Sequence, residues 1–277
     1  MNLKEYVKVK NYTYAEYCDY LKEKYGLAKK SYFTENFKKK NRIGKSNRGL
    51  YCHHIKEIKA VNLSEWAYAI HNPFEYQLPE NLVYCDLLEH FYLHLLIVED
   101  KLANPYKHMS DIGNVGIGGI TTFFIPELND IYSGWVAKQS WRQRCHNKIK
   151  KDKDVYLQLI QRLVYRYYRT QYTSVDSFIN ELCSSANAST KSWKNSNNIE
   201  LYNEIKIICN NIPGLQASKQ DVTQFNNVVE LASAVKHRTK KKTLAINHVT
   251  VEKSSLAKIP RASRSELLQV LKECSKK

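Results

Sequence analysis

The sequence predicts an α+β chain in which one small strand–strand–helix unit is embedded among helices. Three observations carry this. Leu50 to Cys52 reads as a short strand running into His53-His54, and Leu82 to Cys85 reads as a second strand. Asp86 then opens a strongly apolar run, Leu87 to Val98, whose spacing is helical. Elsewhere the apolar and aromatic residues recur at helical spacing, as in Thr13–Tyr25 and Val155–Tyr168.

Charge narrows the function classes. A net charge of +16 with a pI near 9.4 points to a polyanionic partner, nucleic acid before an anionic membrane. No apolar run has membrane length, and the start, Met-Asn-Leu-Lys-Glu-Tyr, has no apolar signal region. Membrane contact and secretion are therefore not expected. Seven cysteines are an odd number, with no C-x-x-C spacing, which argues against a disulfide framework and a four-cysteine zinc ribbon. A reducing, cytoplasmic setting follows. Cys52 and Cys85, on the two strands, read as small buried apolar residues.

The histidines concentrate on the strand–strand–helix unit, with five of the nine between residues 49 and 98. His90 and His94 are one turn apart on the expected helix, so both imidazoles leave one face, roughly 5–6 Å apart at Cβ. Two neutral imidazoles so placed can chelate one metal ion. Asp86 with Glu89 three residues on makes a capping box that starts this helix. Phosphodiester hydrolysis needs a base near neutral pH, which histidine supplies, and a cation to offset charge on the phosphate. A structural zinc corner is the bland alternative for the same residues. His71 reads as an ordinary loop residue.

The order of these parts, Gly-Leu-Tyr-Cys-His53-His54-Ile followed by Glu-Asn81-Leu-Val-Tyr-Cys-Asp-Leu-Leu-Glu-His90-x-x-x-His94, resembles the HNH endonucleases, the ββα-metal nucleases, in their phage and mobile-element branch. The resemblance covers roughly residues 38 to 100, about a quarter of the chain. It implies a small ββα-metal core within a mainly α-helical chain. It also implies that His53, His90 and His94 ligate a metal, that His54 is the general base, and that Asn81 braces the loop under it or joins the metal. The 26 residues between His54 and Asn81 make a long connection, with a short helix expected over Leu63–Ile70. Asn62 and Asn72 are rival asparagines, and Asn81 is preferred because it directly precedes the second strand.

Around this core the chain divides as follows. Residues 1–37 are a helical segment, with a helix over Thr13–Tyr25 stopped by Gly26 and a shorter one near Ser31–Lys38. The core, 38–100, opens on a run of six basic residues and no acid over 38–48, in which Lys45 and Arg48 are placed to meet phosphate or simply to be solvated. Residues 101–183 form a helical support region. Its glycine-rich stretch, 111–119, lacks a phosphate-loop context and reads as a turn passing close to the helix or to DNA. Glu127 and Asp130 are weak candidates for a supporting role there. Residues 184–198 are a polar linker, and 199–277 a helical appendage with helices at Ile199–Asn211, Thr223–Val235 and Ser265–Cys274. Residues 236–277 hold 12 Lys or Arg against 3 acids, and Lys240, Lys241 and Lys242 are its sharpest candidates for DNA backbone contact.

The expectation is thus a metal-dependent DNA endonuclease with one divalent ion, magnesium or zinc, DNA as partner and a homodimer left open. The rival is a non-catalytic nucleic-acid-binding protein holding structural zinc.

Overall fold

Two short strands and one buried helix form the centre of the computed structural model, which describes residues 1–41, 43–103, 115–168, 196–212, 243–246 and 249–252. Strands β1 (Tyr51–His54) and β2 (Leu82–Cys85) are antiparallel, with Tyr51 opposite Cys85 and His54 opposite Leu82. The helices are α1 (Leu3–Val9), α2 (Tyr14–Tyr25), α3 (Trp66–Ala69), α4 (Leu87–Ala103), α5 (Ile117–Gly119), α6 (Ile125–Tyr132), α7 (Ser140–Ile149), α8 (Lys153–Tyr168) and α9 (Ser196–Asn210). A π-helical turn, Ile120–Phe124, joins α5 to α6. The described chain is therefore α+β and mostly helical. Its residues divide into two compact units, one holding 1–160 and 196–205, the other 161–168, 206–212 and the strand pair β3 (Thr243–Ile246) and β4 (Val249–Glu252). No helix among the described residues is long and apolar enough to cross a membrane.

Helix α4 organises the first unit. Apolar residues surround most of its circumference, so every residue from Leu87 through Val98 is buried except His90, which is half-buried. The capping box forms as expected. Asp86 N–H donates to Glu89 Oε2 at 2.7 Å, and Glu89 N–H donates to Asp86 Oδ1 at 2.9 Å. The α-amino group of Met1 pairs with Asp86, while Lys24 Nζ (2.6 Å) and the Tyr25 hydroxyl (3.1 Å) donate to Glu89. Burial is the main reason that the Glu89 carboxyl is pushed up to about 7. These contacts pin the start of α4 to α2.

Helix α2 starts at a Thr13–Glu16 capping box and stops at Gly26, whose φ of +78° suits glycine. Its apolar stripe, including Tyr14, Tyr17, Cys18 and Leu21, packs on β2 and α4.

The helix expected near Ser31–Lys38 does not form. The Ser31 hydroxyl donates to Phe33 O at 2.7 Å, and the Asn41 amide donates to Ser31 O at 2.9 Å. Phe37 adopts a φ of +57°, and Phe33 bridges to Lys40. Local side-chain bonds have taken the backbone away from a helix. The Leu63–Ile70 helix shortens to α3, flanked by turns. Helix α9 begins at Ser196, inside the expected linker. Residues 184–195, the helices at Thr223–Val235 and Ser265–Cys274, and Lys240–Lys242 lie outside the described residues.

Helices α6 and α7 are joined by a buried carboxylate. Glu127 accepts from Arg142 Nε at 2.6 Å and from Arg142 Nη2, and it also meets His146 Nε2. Burial alone would raise the Glu127 carboxyl, but the hydrogen bonds from His146 and Arg142 hold it at about 2, against an ordinary 4.5. A carboxyl depressed on folding stabilises the fold above its unfolded pKa and loses that contribution as pH falls toward the folded value. Glu127→Gln should therefore cost about 3 kcal/mol at neutral pH. The gap between wild type and variant in urea unfolding should close as pH falls from 4.5 toward about 2.

Candidate metal centre

Successive strand residues leave opposite faces, so β1 sends His53 and His54 in different directions. His53 turns to α4, where its ring lies 4.9 Å from that of His90 and 5.2 Å from that of His94. The strand then folds into a 3₁₀ turn, Ile55–Ile58, which returns Glu57 to the same side. Four donor atoms meet there. His53 Nδ1 is 3.0 Å from His90 Nε2 and 3.4 Å from Glu57 Oε2, and His94 Nε2 is 3.2 Å from Glu57 Oε2. Donor atoms of His53, Glu57, His90 and His94 all lie within 4.8 Å of one another. Tetrahedral ligands with metal bonds near 2.0–2.1 Å stand about 3.3 Å apart, so the set has the dimensions of one ion's coordination shell.

The surroundings also fix which nitrogens are free. The Tyr14 hydroxyl donates to Ile55 O at 2.9 Å, so its oxygen accepts from His53 Nε2–H at 2.8 Å. That leaves the His53 Nδ1 lone pair facing the cluster. Burial keeps the Tyr14 phenol well above its ordinary pKa, so it remains a hydroxyl. His94 Nδ1–H donates to Gly116 O at 3.2 Å, which leaves His94 Nε2 as the inward lone pair. His90 faces the cluster through Nε2, and its Nδ1 is buried without a partner among the described residues. Burial first, then the neighbouring imidazoles, hold His53 and His90 well below the ordinary histidine pKa. Both are neutral, the form that ligates a metal.

Gly116 and Gly119 make this packing possible. Gly116 has a φ of +82°. A Cβ on Gly119 would lie 2.6 Å from His94 Nδ1. Phe124, from the π-helical turn, covers His90 and His94 at ring distances of 4.6 and 4.8 Å.

The other expected site residues fall outside this set. His54 is fully buried, with its Nε2 3.0 Å from Gln77 Oε1 and the Tyr32 ring 4.6 Å away. Gln77 donates its amide to Leu63 O, so its oxygen accepts from His54 Nε2–H. The basic nitrogen of His54 is then Nδ1, buried without a partner among the described residues. Burial lowers the His54 pKa, opposed in part by the Glu57 charge. Asn81 is half-buried and donates its amide to Glu75 O at 2.7 Å, tying down the loop before β2. Lys45 is turned inward: Nζ donates to Tyr25 O at 2.8 Å and lies 3.8 Å from the centre of the Tyr84 ring. Arg48 is exposed. Glu127 is engaged with Arg142 and His146 and has no part in the cluster.

Glu57 and Tyr14 are the site residues that sequence reading missed. Glu57 carries a faint signal, four residues after His53, but that spacing means nothing after a strand. Tyr14 carries none, since its partner is 39 residues away.

The cluster is open to solvent space. Glu57 and His94 line a cavity of about 510 Å³ and an adjoining one of about 360 Å³, and His90 lines the larger. No family model matches the chain, and no curated protein or solved structure matches it.

Groups that orient metal-binding histidines typically contribute 10–100-fold to metal affinity. Tyr14→Phe removes the acceptor-fixing hydroxyl of His53, and Gly119→Ala pushes the His94 ring. Each should weaken zinc binding by roughly 10–100-fold in a chelator-competition titration, with circular dichroism unchanged.

Proposed function

We propose that the chain is a metal-dependent DNA endonuclease of the HNH kind, with His53, Glu57, His90 and His94 holding one divalent ion. The observation that carries this reading is the convergence of residues 53, 57, 90 and 94 from a strand, the turn after it and the following helix, with ring nitrogens directed inward. The order of His pair, Asn and paired helical His in the sequence supports it, as does the net charge of +16. Three imidazoles and one carboxylate suit zinc or another late divalent ion better than magnesium. A bound ion would offset charge on the scissile phosphate and the departing oxygen. His54 remains the candidate base through Nδ1. In this reading substrate displaces Tyr32, which lines the larger cavity and packs on the His54 ring, so that a water reaches Nδ1.

A second reading, a nucleic-acid-binding protein with structural zinc, is favoured by one observation. Four protein donors leave no open position on a tetrahedral ion.

Plasmid cleavage separates the two. Wild type should nick DNA with a divalent ion and stop in EDTA. His54→Ala should lose about 10²–10⁴-fold in rate while keeping its bound metal, measured by elemental analysis. Undiminished cleavage by His54→Ala would place the base elsewhere. No cleavage by wild type with magnesium, manganese or zinc, despite stoichiometric zinc and retained DNA, would establish the structural reading.

A further inference from the structure

We infer that the DNA strand at this centre is unpaired, with its bases stacked on Phe123 and Trp141 on one side of the metal cluster and on Tyr68 on the other. This rests on the nuclease reading above.

The two cavities beside the cluster share Glu57, Asn62, His94, Gly119 and Thr122 in their walls, so the Glu57–His94 side of the donor set lies where they adjoin. Phe123 and Trp141 line the larger cavity and Tyr68 the smaller. These side chains are 39, 44 and 46% exposed. Single exposed aromatics are ordinary on a protein surface. Here, of the four exposed aromatic side chains among the residues whose burial is described, only Trp66 lies outside these two walls.

The local backbone explains how Phe123 is presented. The π-helical turn directs Phe124 inward onto His90 and His94 and leaves the adjacent Phe123 ring facing the cavity, 5.0 Å from Phe124 and 6.3 Å from Tyr51. π-Turns of this kind concentrate at functional sites. A braced ring is a stacking platform with little entropy to lose. Lys40, near the start of the basic run 38–48, lies in the same wall and pairs with Glu65 at 3.5 Å. A base inside a duplex already has both faces covered, so a protein aromatic must first unstack the helix to reach it, whereas an unpaired base offers its faces without that cost.

The test is binding by the full chain in EDTA, which removes cleavage from the readout. Fluorescence anisotropy would compare a labelled single-stranded oligonucleotide, its matched duplex, and the same strand carrying abasic sites. The single strand should bind roughly tenfold or more tighter than the duplex. Phe123→Ala and Trp141→Ala should each lose about 5–100-fold on the single strand, with no loss on the abasic strand or the duplex, and Trp141→Phe should recover most of it. Equal or tighter duplex binding, or the same loss on the abasic strand, would overturn the inference. Metal-dependent cleavage without preference for the single strand would overturn it while leaving the nuclease reading intact. Neither cleavage nor binding of any DNA would overturn both.

Discussion

Three imidazoles and a carboxylate occupy one small space, with two ring nitrogens 3.0 Å apart. Most of the surrounding structure follows from what keeps them there. Without a cation, His90 Nε2–H can donate to the His53 Nδ1 lone pair. With one, that proton must move to His90 Nδ1, which has no acceptor among the described residues. The cluster therefore stays cohesive in both forms, but only while the ring positions are imposed from outside. Tyr14 imposes that of His53, Gly116 that of His94, and the packing of Phe124 those of His90 and His94. The burial that keeps His53 and His90 neutral also makes each lost orienting contact costly.

The fold delivers those contacts over long sequence distances. Tyr14 reaches His53 because α2 packs on β2 and α4, and α2 is held to the start of α4 by Lys24 and Tyr25 on Glu89. Asp86 and Glu89 thus do more than start a helix. They lock α4, which carries His90 and His94, in register with the helix that carries Tyr14. The hairpin then needs only four residues per strand, because its two faces are served by different neighbours: α4 on the His53 side, the Gln77 loop on the His54 side.

Much of this was legible in the sequence, and the reasons for success and failure are physical. His90, His94, Asp86 and Glu89 were readable because their relations are local and helical, where spacing translates directly into geometry. The strands were readable from their apolar runs beside the His pair. Glu57 was not, because a strand turning into a 3₁₀ segment has no period that predicts where a side chain returns. Tyr14, Gly116 and Gly119 act on histidines far along the chain, and a tyrosine in an amphipathic helix looks like any other core residue. Lys45 was read by its charge, yet a lysine stem also packs on aromatics, and here a backbone carbonyl and the Tyr84 ring hold it inward. The Ser31–Lys38 segment failed as a helix because Ser31, Thr34, Asn36 and Asn41 each bond locally to something other than a helical turn.

The cluster is not symmetric about its centre, and this bears on how a closed donor set could serve a reaction. His53 is 1% exposed and lines neither adjoining cavity, whereas Glu57 and His94 line both. A bound ion would be reached from the side that Glu57, His94 and His90 turn to the cavities, and Glu57 and His94 line both of these. Of those two, His94 is fixed by Gly116 and by the helix beneath it, while Glu57 stands on a short turn and faces the lone pairs of His53 Nδ1 and His94 Nε2, which offer it no proton. Glu57 is the donor with the least holding it, on the side where substrate would arrive. A four-donor set whose carboxylate can give way is closed at rest and open on engagement. Under the proposed nuclease reading, that asymmetry would reconcile four protein donors with the open position that hydrolysis of a phosphodiester needs.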